Sequence, residues 1–154
     1  MSFNIVLNTN NAQTINTAGK DFTWAFNFNS FQIEEGEYEL IWSAYSTNVA
    51  QATFATVLNP IVNLDFSNQP NFFTTDGTGS INRSTTVIGV FKPVIVSTAI
   101  GCFQSEVTTN PPITFKNINK STNYIRIFIT QPGTNTLIAT SLVNFTIILR
   151  FKKC

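Results

Sequence analysis

The chain has 154 residues, enough for one domain with a substantial core, because a chain of this size buries about 68–70% of its unfolded surface. Charged residues make up only 11% of it, against about 25% in ordinary globular proteins, and the net charge is +1. This charge is too small to suggest nucleic-acid binding, which normally needs a basic patch, and a surface so poor in charge favours association.

Two readings of that surface stay open: a soluble monomer coated in Asn and Thr, and a subunit mostly covered by neighbours. Fifteen residues are Phe, and Asn and Thr take the place of the missing charges. Phe and Thr suit strands and Asn suits turns, so composition alone points to an all-β fold. No window sustains the i, i+3, i+4 spacing of an amphipathic helix.

In chain order, residues 3–7 form a short first strand, an extra one before the principal set, followed by the turn-prone Asn8-Thr9-Asn10-Asn11. Residues 12–17 are weakly extended. Residues 21–28 are a strand with Phe22, Trp24, Phe26 and Phe28 on one face. Glu34-Glu35-Gly36 turns the chain into a strand over 37–47, where Tyr38, Leu40, Trp42 and Ala44 share a side. Residues 49–57 are a helical turn or a loop. A strand follows over 60–66 with Val62, Leu64 and Phe66 inward.

Residues 67–82 are long and irregular, and loops of such length in a compact domain are often functional. Phe72 and Phe73 are adjacent and cannot both point inward from one strand, so with Asp76 they are the candidate exposed loop contacts. Strands are predicted over 83–91 and 93–103, with Lys92-Pro93 as a bend between them. A short strand over 112–116 opens on Pro111-Pro112, as suits a strand start or an edge. Residues 122–130 (TNYIRIFIT) alternate strongly. Residues 143–151 (VNFTIILRF) put Val143, Phe145, Ile147, Leu149 and Phe151 on one face, with Ile148 the one apolar residue opposite. Eight principal strands with irregular spacing point to two stacked sheets with crossing connections, not an up-and-down barrel.

The two cysteines, Cys102 and Cys154, make no disulfide framework and suit a reducing site of folding. The opening residues carry no signal-peptide pattern, and the longest weakly polar stretch, residues 93–101, is too short to span a membrane. The chain has no histidine, so a Ser-His-Asp or Cys-His site is impossible. Asp21, Asp65 and Asp76 are the only aspartates, and Asp76 lacks the acidic neighbours of a calcium loop. Asp76-Gly77-Thr78-Gly79 lacks the Gly-Lys-Ser/Thr ending of a phosphate loop. No catalytic, cofactor-binding or metal site is expected.

Four of the eight acidic residues lie between Glu34 and Glu39, while Arg150, Lys152 and Lys153 end the chain. Glu34, Glu35, Glu37, Arg150 and Lys152 are therefore the candidate subunit interface, an acidic edge of one copy meeting a basic edge of the next. The alternative is two unrelated solvated ends.

The segments NPPITF (Asn110 to Phe115) and NYIRIFITQPGTNTLIATSLVNFTIILRF (Asn123 to Phe151) resemble the end of single-jelly-roll vertex (penton) capsid proteins of large icosahedral double-stranded DNA viruses. The likeness covers the last third well and the rest only as strand order. It implies an eight-stranded single jelly-roll sandwich over residues 1–154, with a short extra N-terminal strand. In that order strands 21–28, 60–66, 112–116 and 143–151 form one sheet and the other four the second, with the last strand between the first and the third. It further implies a structural protein of the virion: a homopentamer at the capsid vertex, contacting the major capsid protein and minor capsid proteins, with no direct nucleic-acid binding. Two other readings stand beside it, a lectin-like or receptor-attachment module of the same architecture, and a minor capsid or cement protein.

Overall fold

Residues that alternate in the sequence alternate in burial. Along Gly36–Ser46, Tyr38, Leu40, Trp42, Ala44 and Ser46 are buried, while Glu37, Ile41, Ser43 and Tyr45 face solvent. A computed structural model describes residues 2–17, 20–25, 33–47, 49–50, 60–66, 74–75, 81–82, 86–105, 113–118, 124–131, 136–137 and 144–154. Among them the protein is all-β, with one 3-10 turn at Thr9–Asn11 and no α-helix. The strands are β1 (Ser2–Asn8), β2 (Thr14–Thr17), β3 (Asp21–Ala25), β4 (Gly36–Ser46), β5 (Val49–Ala50), β6 (Ile61–Phe66) and β7 (Thr74–Thr75). They continue with β8 (Ile81–Asn82), β9 (Thr86–Ile95), β10 (Ile100–Ser105), β11 (Ile113–Ile118), β12 (Tyr124–Thr130) and β13 (Phe145–Lys153).

Hydrogen bonds link nine of them in one antiparallel path, β1-β13-β4-β10-β9-β6-β12-β3-β2. β11 also pairs with β4, β5 with β10, and β7 with β8 separately. The path folds into two layers because β9 changes partner halfway. Its residues up to Val90 pair with β6, and those from Phe91 pair with β10. One layer therefore holds β1, β13, β4 and β10, the other β6, β12, β3 and β2, and β9 joins them.

The change of partner has a local cause. Val62 pairs with Gly89 and Asn63 with Val87, so Ile88 is an extra residue, a bulge that bends the strand. Gly89 has φ 155°, a conformation that side chains disfavour and glycine accepts. The carbonyl of Ile88 accepts a 2.7 Å hydrogen bond from Trp42 Nε1 in the opposite layer.

The core lies between the layers. Phe22 meets Phe145 edge-on at 5.3 Å between centroids, and Phe91 meets Phe145 at 6.0 Å and Trp42 at 6.3 Å. Edge-to-face rings of this kind add about 0.5–1.5 kcal/mol beyond the area they bury.

Three expectations need correction. The last strand does not lie between residues 21–28 and 60–66; β13 pairs with β1 from Thr146 to Lys152 and with β4 from Phe145 to Lys153. The strand between β3 and β6 is β12. Ser2–Asn8 is thus no added strand but a full partner of the chain's end. Alternation fixes which face is buried and is silent about which strand lies alongside.

Nor does Lys92-Pro93 divide two strands, for β9 runs through it. The Phe103 amide points to Ser46 Oγ on β4, 2.8 Å away, so Phe103 and Pro93 form a non-hydrogen-bonded pair. The N–H that proline lacks removes no bond to β10. In residues 49–57, Val49–Ala50 is a strand on β10, and 51–59 lie outside the described residues. Residues 26–28, 83–85, 112, 122, 123 and 143 of the expected strands also lie outside them.

Candidate functional site

Antiparallel pairing of β13 with β4 sets Lys152 opposite Glu39 and Lys153 opposite Tyr38. The acidic turn and the basic terminus therefore meet within one chain. Lys153 Nζ donates to Glu34 Oε2. The Tyr38 hydroxyl donates to the Glu34 carbonyl at 2.6 Å, and the Cys154 N–H to the Glu37 carbonyl at 3.0 Å. The hydrogen bond and charge of Lys153 hold the Glu34 carboxyl below its usual range, and Glu34 holds the ammonium above its own. Both groups stand in water, so the pair contributes little to stability. Glu35, Glu37, Arg150 and Lys152 are exposed around it. Phe72, Phe73 and Asp76 lie outside the described residues.

A second polar cluster sits on the outer face of the β3–β12–β6 layer. Arg126 Nε donates to Asp21 Oδ1 at 2.9 Å and Nη2 to Oδ2 at 2.6 Å, a forked pair. Asn16 Nδ2, from β2, adds a bond to Asp21 Oδ1 and another to Thr23 Oγ1, each 3.0 Å. The guanidinium carbon of Arg126 stands 4.8 Å from the Phe128 ring centroid. Asp65 lies opposite Arg126 across the β6–β12 ladder.

The two aspartates are pushed in opposite directions. Burial raises the Asp21 pKa, but the hydrogen bonds from Arg126 and Asn16 and the Arg126 charge outweigh it, leaving it below the ordinary value. Burial raises Asp65 above the ordinary value, against the Arg126 charge and a hydrogen bond from Tyr124. Opposed carboxylates can mark an acid–base pair. Here both oxygens of Asp21 are already held by the guanidinium, so the arrangement fastens β2, β3 and β12 together. Asp21 and Arg126 are 105 positions apart, and no local pattern links them. The one available signal is a lone arginine in an isoleucine-rich strand.

Beside it Asn63 is buried and donates to the Phe128 carbonyl at 3.2 Å and Thr130 Oγ1 at 2.9 Å. No group of three or more His, Cys, Asp or Glu among the described residues is placed to hold a metal ion. No described helix is long and apolar enough to cross a membrane.

The remaining features are apolar. Val6, Ile41 and Tyr45 are exposed on the outer face of β1–β13–β4, around half-buried Ile148. Ile95, Val96 and Ile100 are exposed at the turn between β9 and β10. No family model, no curated protein and no solved structure matches this chain.

Proposed function

We propose that the chain is a structural subunit of a virus capsid that works by contact with copies of itself and with other capsid proteins. Strand order carries this reading. Without the short terminal β2, the hydrogen-bonded path holds eight strands; numbered in chain order they run 1-8-3-6 in one layer and 5-4-7-2 in the other. A single jelly roll has eight strands in two four-stranded sheets, with this interleaving of early and late strands. The order agrees with the resemblance once β1 is taken as the first strand, β3, β4 and β6 become the second to fourth, β9 and β10 the fifth and sixth in place of β11, and β12 and β13 stay the seventh and eighth. β10 and β11 then share the free edge of β4.

The vertex role, five copies meeting the major capsid protein, rests on the resemblance at residues 110–151, supported by the scarcity of charge. Sedimentation of the purified chain beside a glycan-binding screen tests it. The reading requires a closed oligomer; a stable monomer that binds sugar would replace it with a lectin-like module.

A further inference from the structure

Eight large apolar residues are exposed among the described ones, and six fall into two groups of different shape. The first is flat. On the outer face of one layer, Val6, Ile148 and Ser43 stand in a row across β1, β13 and β4, with Ile41 and Tyr45 on either side of Ser43. Val6 is 64% exposed and Tyr45 55%. The second projects. All six residues from Ile95 to Ile100 are exposed, with Ile95 at 68% and Val96 at 58%.

The backbone of this projecting turn is closed. The amides of Val96 and Ser97 both donate to the Ile100 carbonyl, at 3.0 and 2.9 Å. The turn can therefore enter a dry contact without stranding these amides. No charged residue occurs from Pro93 to Ser105. The flat patch is bordered by Arg150 and by Lys152, which Glu39 faces across the ladder, so neither surface selects a strongly charged partner.

We infer that the β9–β10 turn of one copy packs on the outer face of β1–β13–β4 of the next. Two properties favour a second copy as the occupant. The projecting and flat surfaces are matched in polarity, and they are separate: the patch lies on the face of β1–β13–β4 and the turn beyond β10, where the second half of β9 continues that layer. A contact between two different surfaces of identical chains is heterologous and repeats head to tail until it closes a ring. The inference rests on the proposed self-assembly and names the surfaces that make it.

The test uses full-length chains carrying Cys154→Ser, which removes the exposed native thiol, with Cys102 left buried. One chain also carries Thr98→Cys in the turn, the other Ser43→Cys in the patch, and the two are co-expressed and oxidised. The expected product is a disulfide between unlike chains, with none between like chains. A turn–turn or patch–patch disulfide overturns the inference. An intact oligomer with no disulfide overturns it while leaving the proposed function standing; a monomer overturns both. In parallel, Ile95→Asp and Val6→Asp, both at exposed positions, should each raise the concentration for half-assembly at least tenfold. Unchanged assembly, with loss in Ile95→Asp of binding to phosphatidylcholine vesicles, would assign the turn to lipid and overturn the inference.

Discussion

Trp42 serves both the core and the bend. Its ring packs edge-on against Phe91, and its indole N–H donates to the carbonyl of Ile88, the residue without a paired position at the bulge. Trp42→Phe should keep most of the packing and strand that carbonyl, at a cost of about 1–3 kcal/mol in urea unfolding. Alternation marks Trp42 as inward; the bulge it caps depends on a glycine whose role appears only with the register. At Asp21 and Asp65 the signs are opposite. Asp21 has a depressed folded pKa, so its contribution is present above the unfolded value of about 3.9 and is lost as pH falls through the folded one. Asp65 has a raised folded pKa, so its ionisation weakens the fold as pH rises through that value. Asp21→Asn should therefore destabilise at pH 7, and Asp65→Asn should leave stability unchanged or higher. Denaturant midpoints of the two variants at pH 7 and pH 4 check this, with the Asp21→Asn deficit shrinking toward acid.

The element that organises the fold is β13. Its alternation is legible in the sequence, and Phe145, Ile147, Leu149 and Phe151 are all buried, worth roughly 1.5–3 kcal/mol each. Its neighbours are not legible, because β1 and β4 show the same alternation as other strands and pairing depends on contacts 99 to 150 residues apart. The same limit hid the meeting of the two charged segments within one chain: an acidic turn and a basic terminus look like two ends in the sequence, and the register of β13 on β4 makes them neighbours. A chain ending at Asn144 removes a strand paired on both edges and should fail to fold, read as loss of near-ultraviolet circular dichroism. The seam between β4 and β10 is narrower. It has one paired position, Tyr45 with Gln104, and serine hydroxyls on either side. Ser46 Oγ accepts from the Phe103 amide and Ser105 Oγ from the Ala44 amide, at 2.8 and 2.9 Å. Ser46→Ala should cost about 1–3 kcal/mol and speed hydrogen exchange at Phe103.

At the scale of the whole molecule, one side of the sandwich is continuous through β9 and the other ends in β1 and β2. Composition reached the all-β class, and scarce charge pointed to a surface made for contact. The structure locates apolar groups on that surface, one on a sheet face and one on a turn. Ile148, the outward apolar residue of the last strand, lies between Val6 and Ser43 and is only half-buried, so covering it leaves work for a neighbour. The most direct test of a subunit that functions by self-contact is native mass spectrometry of the purified chain at micromolar concentration. A single species of five 17.1 kDa chains is the expected result, and a monomer that persists as concentration rises would contradict it.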